Sequence, residues 1–200
     1  MLEPWRTGTV IKIEDASEST RRFWIQIPEL DSFNFKPGQF VTLDLPIHEK
    51  TNKRWRSYSI ASAPDGTNII ELVIVLLEGG LGTTYLFNEI KVGSEITLRG
   101  PVGVFTLHEE NYEKNLFLIC TGTGIAPFRS MANYIKEQSI VHKDIYLLFG
   151  CRTKEDLLYF DEAFDIDERL LLQTYILPGS RFEPLGSSPF GIVLQCNEAQ

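Results

Sequence analysis

The sequence has only three cysteines, Cys120, Cys151 and Cys196, and no two of them are close. That spacing encodes neither a zinc site nor a disulfide framework, and it gives no four-thiolate set for an iron–sulfur cluster. No metal site is expected. Cys120 and Cys151 each end an apolar run and read as reduced, buried thiols. Positive charge is also short, with 19 Lys and Arg against 27 Asp and Glu, a net charge of −8 and a pI near 5.0. An acidic chain is poorly suited to nucleic acid or an anionic membrane, which favour a basic face. No apolar run approaches the roughly 20 residues of a membrane span. The N-terminal MLEPWRTG lacks the apolar core of a signal peptide. A cytoplasmic protein with no nucleic-acid partner is expected.

A hydrophobic content of 43% over 200 residues is enough for a folded core. The first half alternates apolar and polar residues in short runs, at Val10 to Ile13, Phe23 to Ile27, Phe40 to Leu45, Arg54 to Ala61, Ile69 to Leu77 and Glu95 to Leu98. Turn residues such as Lys36-Pro37-Gly38 punctuate them, and a short helical stretch falls at Thr83 to Ile90. Six such strands predict a closed antiparallel barrel. The period changes near residue 112. Leu116 to Cys120 and Ile145 to Phe149 are continuous apolar runs, as parallel strands covered on both faces would be. Phe128, Met131 and Ile135 mark one face of a helix between them. Asp156 to Phe164 reads as a further helix and Leu170 to Ile176 as a third strand. The predicted fold class is therefore β followed by α/β. A barrel over residues 1–110 is joined to a parallel α/β unit over 111–200, with the boundary near Glu109 to Lys114.

Residues 54 to 62, RWRSYSIAS, concentrate cations, aromatics and hydroxyls in one predicted strand. Side chains alternate in direction along a strand, so Arg54, Arg56, Tyr58 and Ile60 share a face. One reading is an exposed amphipathic strand. The other is a ligand platform: a planar guanidinium binds phosphate bidentately, and a tyrosine ring lies against a flat heterocycle. Further on, Gly122-Thr123-Gly124-Ile125-Ala126-Pro127 joins an apolar strand to an amphipathic helix. Its glycines allow close backbone approach to a phosphate at a helix N-terminus. Pro127 stands where a strict dinucleotide fingerprint has its third glycine, and proline is tolerated in a first helical turn.

The stretch Arg56-Ser57-Tyr58-Ser59 resembles the R-x-Y-S flavin motif of the ferredoxin–NADP reductase family. The resemblance runs in order through Gly38 to Phe40, Ile60 to Pro64, Gly79 to Leu86, Arg99 to Phe105, TGTGIAPFRSM and GCRTKEDLLY, covering residues 8 to about 181. It implies FAD as cofactor, with Arg56 on the pyrophosphate, Tyr58 stacked on the isoalloxazine and Ser59 hydrogen-bonded near flavin N5. Tyr58 and Ser59 are thus the expected catalytic residues. Ile74 and Val75 would give backbone contacts to the flavin. Gly82, Thr83 and Thr84 would make the second pyrophosphate contact. It further implies a pyridine nucleotide held by Gly122, Thr123, Gly124, Ile125, Ala126 and Pro127. The Ser180-Arg181 pair would contact a 2′-phosphate, with Tyr159 at the adenine side; the residues themselves add two cations after the second α/β strand, Arg152 and Lys154, which suit the same phosphate or are solvated loop charges beside Glu155 and Asp156. NADP is the expected nucleotide, with NAD as the alternative.

The resemblance also implies an activity, in which hydride passes from NAD(P)H to flavin N5 and electrons then pass to ferredoxin, flavodoxin or an oxygenase component. Lys36, Lys53, Arg54 and Arg6 are a candidate docking face for such an acidic acceptor. Family members continue with two more strand–helix units, one carrying a Cys-Gly-Pro motif, and many end in a residue that covers the flavin. After Arg181 the chain matches neither feature, and Cys196 has no Gly-Pro after it. A C-terminally shortened nucleotide domain is therefore expected, with the first parallel strand at an open edge that favours self-association. A non-catalytic, truncated flavin-binding module is the second expectation.

Overall fold

A computed structural model describes residues 3–151, 156–159, 170–176 and 183–184. Its first sheet has six antiparallel strands: β1 (Trp5–Ser17), β2 (Thr20–Gln26), β3 (Phe40–Asp44), β4 (Trp55–Ser59), β5 (Ile69–Val75) and β6 (Glu95–Val102). They are ordered β4-β3-β6-β1-β2-β5. The two outer strands meet through the Ile60–Leu72 bridge and the Ala61 N–H donating to the Glu71 carbonyl at 2.8 Å. That contact closes the sheet into the expected barrel. One residue of each alternating pair points inward, so Val10, Phe23, Ile25, Val41, Leu43, Ile70, Leu72 and Leu98 form a core with almost no exposure. At roughly 1.5–3 kcal/mol for each large apolar side chain taken from water, this core is the main stabilising term of the barrel.

β1 is longer than its sequence pattern suggested. Trp5 to Thr9 pairs with β6, and Thr9 to Ser17 pairs with β2, with register shifts at Val10/Lys12 and Asp15/Ser17. Such shifts break the strict alternation of apolar residues, so only the central part reads as a strand. Helix α1 (Leu81–Asn88) follows β5 and covers the barrel through Leu86. A single helical turn, α2 (Glu109–Tyr112), lies between the two sheets.

The second sheet is ordered β10-β9-β8-β7. β7 (Leu116–Thr121), β8 (Ile145–Cys151) and β9 (Leu170–Ile176) are parallel, and the two-residue β10 (Glu183–Pro184) pairs antiparallel with β9. Among the described residues β7 is an edge strand of this sheet, and β10 is the other. Helix α3 (Ala126–Glu137) packs Phe128, Met131 and Ile135 against Leu118, Ile145, Leu147 and Phe149, as its 3.6-residue period requires. Of the expected helix over Asp156 to Phe164, Asp156 is in a 3-10 conformation, which does not continue past it. Leu158 and Tyr159 sit in a turn, and Tyr159 has a left-handed φ of 59°. The rest of that stretch lies outside the described residues.

The barrel and the α/β unit share an apolar core. Ala61 and Val73 of the barrel pack with Ile125, Phe128 and Leu158. Val73 sits on the opposite face of β5 from Ile70, Leu72 and Ile74, so one strand serves two cores. This shared layer places the end of β4 beside the start of α3.

Candidate functional site

Arg56 and Tyr58 lie opposite Leu43 and Val41 in the β3–β4 register, so both side chains are on the core-facing side of the sheet. β4 is a terminal strand of the six, which puts them at the seam between β4 and β5 rather than deep in the barrel. Both are half-buried. Burial pushes the Tyr58 hydroxyl above its ordinary pKa, opposed by the Arg56 charge, so the phenol stays protonated at neutral pH. Arg54 does not share their face within the strand as expected. It precedes β4 as the C-cap of a 3-10 turn over Thr51–Lys53. Ser59 ends β4 on the opposite face from Tyr58.

Helix α1 approaches Arg56 through Gly82. A Cβ at Gly82 would lie 3.0 Å from both Cγ and Nε of Arg56, so the glycine lets the helix rest closely on the arginine stem, and a larger residue would push that stem aside. Arg56 NH1 donates to the carbonyls of Trp55 at 2.8 Å and Lys53 at 3.1 Å, which fixes one end of the guanidinium. The first turn of α1 contains no acidic residue. An arginine and a helix N-terminus are thus set side by side, which is a binding arrangement for an anion. The Thr83 hydroxyl accepts from the Leu77 N–H at 3.1 Å and reaches the Gly80 carbonyl at 3.2 Å, so it braces the turn into the helix. Thr84 is exposed one position further on. Ile74 is buried in the barrel, whereas Val75, Leu76, Leu77 and Leu81 form an exposed apolar lip at the β5–α1 connection. A guanidinium, a helix N-terminus, a half-buried phenol and an apolar lip fit a flat ring system carrying a phosphate tail. The chemistry of this donor set matches FAD.

Gly122 to Ile125 form a 3-10 turn between β7 and α3, with Gly122 at φ 50° and Pro127 in the first turn of the helix. In register, Thr121 of β7 lies beside Gly150 of β8, so the loop sits at the carboxyl ends of parallel strands, where open α/β sheets bind ligands. A cleft of about 740 Å³ opens there, lined by the loop, by Cys151 and Asp156, and by Val75 to Glu78 from the barrel. The apolar lip and the glycine loop therefore face one space. Of the residues expected to hold the nucleotide, Gly122 to Pro127 are at or beside this cleft. Arg152, Ser180 and Arg181 lie outside the described residues.

Tyr159 is placed where the sequence did not suggest. It is only 8% exposed. Its hydroxyl donates to Glu71 Oε1 at 2.8 Å, and the guanidiniums of Arg22 and Arg129 lie 4.6 and 4.4 Å from its ring centroid. That position leaves little ring surface for an adenine. Sequence reasoning also missed Glu71, which is 2% exposed and bonded to Arg22 and Arg129. Two of the four cations of the expected basic face are paired, Arg6 with Glu29 and Arg54 with Asp44.

Both described cysteines have raised thiol pKa values. Burial pushes Cys120 up to about 12, and it raises Cys151 together with the neighbouring Asp156 charge. A thiol at about 12 is roughly 0.01% thiolate at pH 8, against roughly 10% for one with its ordinary value of 9.0. Alkylation of Cys120 by iodoacetamide at pH 8, followed by peptide mass spectrometry, is expected to be about 1000-fold slower than that of an exposed cysteine peptide. Comparable rates would show that the thiol is not desolvated.

Comparison with known proteins agrees with this geometry. The oxidoreductase FAD-binding domain model matches residues 7–107, and the oxidoreductase NAD-binding domain model matches residues 118–178. The chain is 35% identical to ferredoxin–NADP reductase B of Sorangium cellulosum over 161 residues, covering 80% of this chain and 63% of that protein. It is 36% identical to the toluate 1,2-dioxygenase electron transfer component of Pseudomonas putida over 160 residues, covering 78% and 45%. It superimposes on the cytochrome P450 reductase GcoB of Amycolatopsis with a TM-score of 0.75 and 26% identity, covering 87% of this chain and 53% of that one. The chain thus spans less than two thirds of the length of each. A flavin-type barrel facing a nucleotide-type α/β sheet defines the class as FAD- and NAD(P)-binding oxidoreductases. Within that class, this chain belongs to the ferredoxin–NADP reductase-like family.

Proposed function

We propose that the chain is a cytoplasmic flavoenzyme that takes electrons from NADPH and delivers them to a small electron-carrier protein or an oxygenase component. Its two halves, residues 1–110 and 111–200, act as flavin and nucleotide domains. The observation that supports this reading best is the shared cleft, where the lip beyond β5 and the Gly122 loop face each other. Bound FAD would supply the chemistry, a hydride acceptor that can return electrons one at a time. The residues of this chain supply position and charge. Arg56 and the first turn of α1, with Gly82, Thr83 and Thr84, hold the pyrophosphate. Tyr58 offers a ring face, and Ser59 a hydroxyl at the reacting edge. The Ile74–Val75 backbone borders the ring system. Gly122 to Pro127 hold the nucleotide phosphates at the start of α3.

NADPH is preferred on the strength of Arg152 and the Ser180-Arg181 pair, residues suited to a 2′-phosphate. NADH is the second reading, favoured by the carboxylates of Glu78 and Asp156 that line the cleft, since an acidic side chain suits a free ribose hydroxyl. For the acceptor, relatives that serve as a ferredoxin–NADP reductase and as a dioxygenase electron transfer component support ferredoxin or an oxygenase component. Among the described residues, no helix is long and apolar enough to cross a membrane.

The test is an anaerobic titration of the FAD-loaded protein with NADPH and with NADH, following the flavin absorption band. Prompt bleaching is expected, faster with NADPH. A flavin that stays oxidised with both nucleotides but bleaches with dithionite would replace this reading with a flavin-binding module that lacks hydride transfer.

A further inference from the structure

Glu71 sits in the middle of β5 on the face that looks away from the barrel core, and it is 2% exposed. Its carboxylate gathers three partners from three other segments. Arg22 of β2 donates from Nε to Oε1 at 2.6 Å, Arg129 of α3 donates from NH1 to Oε2 at 2.9 Å, and the Tyr159 hydroxyl donates to Oε1 at 2.8 Å. The same NH1 of Arg129 reaches the Ala61 carbonyl at 2.9 Å, and the Ser130 hydroxyl donates to the Ser62 carbonyl at 2.7 Å. The Glu71 N–H in turn donates to Ser62 Oγ at 3.1 Å. Ala61 and Ser62 directly continue the strand that carries Arg56, Tyr58 and Ser59. Arg129 and Ser130 lie in the helix that begins at the Gly122–Pro127 loop.

We propose that Glu71 is a positioning residue that clamps the flavin-binding half and the nucleotide-binding half in one relative placement, with Arg22, Arg129 and Tyr159 as its contacts. Apolar packing alone, of Ala61 and Val73 against Phe128 and Leu158, would hold the halves together but tolerate sliding. A desolvated carboxylate does not tolerate it, because each lost partner leaves a buried charge unpaired. The consequence for catalysis rests on the proposed function: two rings carried on different domains must meet at close range, and a displacement of about 1 Å can cost roughly 100-fold in rate. Tyr159 belongs to this clamp.

The experiment compares wild type, Glu71→Gln and Tyr159→Phe, each loaded with FAD, by two readouts. The first is the flavin bleaching rate over a range of NADPH concentrations. The second, which needs no reaction, is the rate of tryptic cleavage after Lys114, an exposed residue between the two sheets. Both variants should keep one FAD per chain and bind NADPH within about threefold of wild type. The limiting bleaching rate should fall roughly 10- to 100-fold in Glu71→Gln and less in Tyr159→Phe. Cleavage after Lys114 should speed up at least threefold in Glu71→Gln. If Glu71→Gln does not fold, Tyr159→Phe alone must show the fall in limiting rate at unchanged NADPH affinity. Wild-type cleavage and limiting rate in both variants would overturn the clamp, and so would loss of FAD in proportion to loss of rate. If wild type itself is not bleached, the proposed function fails, and the clamp stands or falls on cleavage after Lys114.

Discussion

Arg56→Ala is expected to raise the dissociation constant for FAD by about 100-fold, while the apo-protein stays folded. The guanidinium already spends one nitrogen on the Trp55 and Lys53 carbonyls, so its fork is held in place before a ligand arrives. Its stem lies against Gly82, at the N-terminus of α1, so its charge adds to that of the helix end. Two charge-assisted bonds to a pyrophosphate, at about 1.5 kcal/mol each or more, correspond to the expected factor. Arg56→Lys should recover only part of the loss, because an ammonium lacks the planar fork. Fluorescence titration of FAD into each variant reads the effect directly. A change of less than threefold in Arg56→Ala would remove Arg56 from the binding site.

Gly38→Ala is expected to be the most destabilising glycine-to-alanine change among the described glycines. Gly38 is buried with φ +99°, a region that side chains rarely adopt. A Cβ there would collide with the Phe105 carbonyl oxygen and come within 2.6 Å of Met131 Cε. Phe105 follows the last barrel strand and Met131 lies on α3, so the methyl group strains the barrel and the domain junction together. Left-handed backbone strain and overpacking sum to about 2–5 kcal/mol. For a chain of this size, that is a fall in Tm of roughly 5–15 °C. Thermal unfolding followed by circular dichroism tests this, and a fall under 2 °C would mean that the Lys36-Pro37-Gly38 turn moves freely.

The barrel was legible in the sequence because most of its strands alternate apolar and polar residues, as Val41-Thr42-Leu43 does visibly. The glycine loop was legible because backbone approach to phosphate demands residue types that stand out. What could not be read were relations across long separations. Glu71 appears in IIELVIV as an ordinary polar residue in a strand. Its partners Arg22, Tyr159 and Arg129 lie 49, 88 and 58 positions away, and no local pattern connects them. The surroundings of Tyr159 were hidden for the same reason: a motif fixes its place in the chain, whereas packing against Arg22 and Arg129 fixes its environment. The pairing of Arg6 with Glu29 and of Arg54 with Asp44 likewise weakened a basic face that a count of cations had suggested.

The central claim is that the seam between β4 and α1 holds FAD, and a titration of apo-protein with FAD and with FMN tests it most directly. One FAD per chain is predicted, with flavin fluorescence quenched by stacking on Tyr58. Binding of FMN should be clearly weaker, because Arg56 and the α1 N-terminus address a pyrophosphate that FMN lacks. No saturable binding at micromolar FAD, or equal affinity for FMN, would contradict the account.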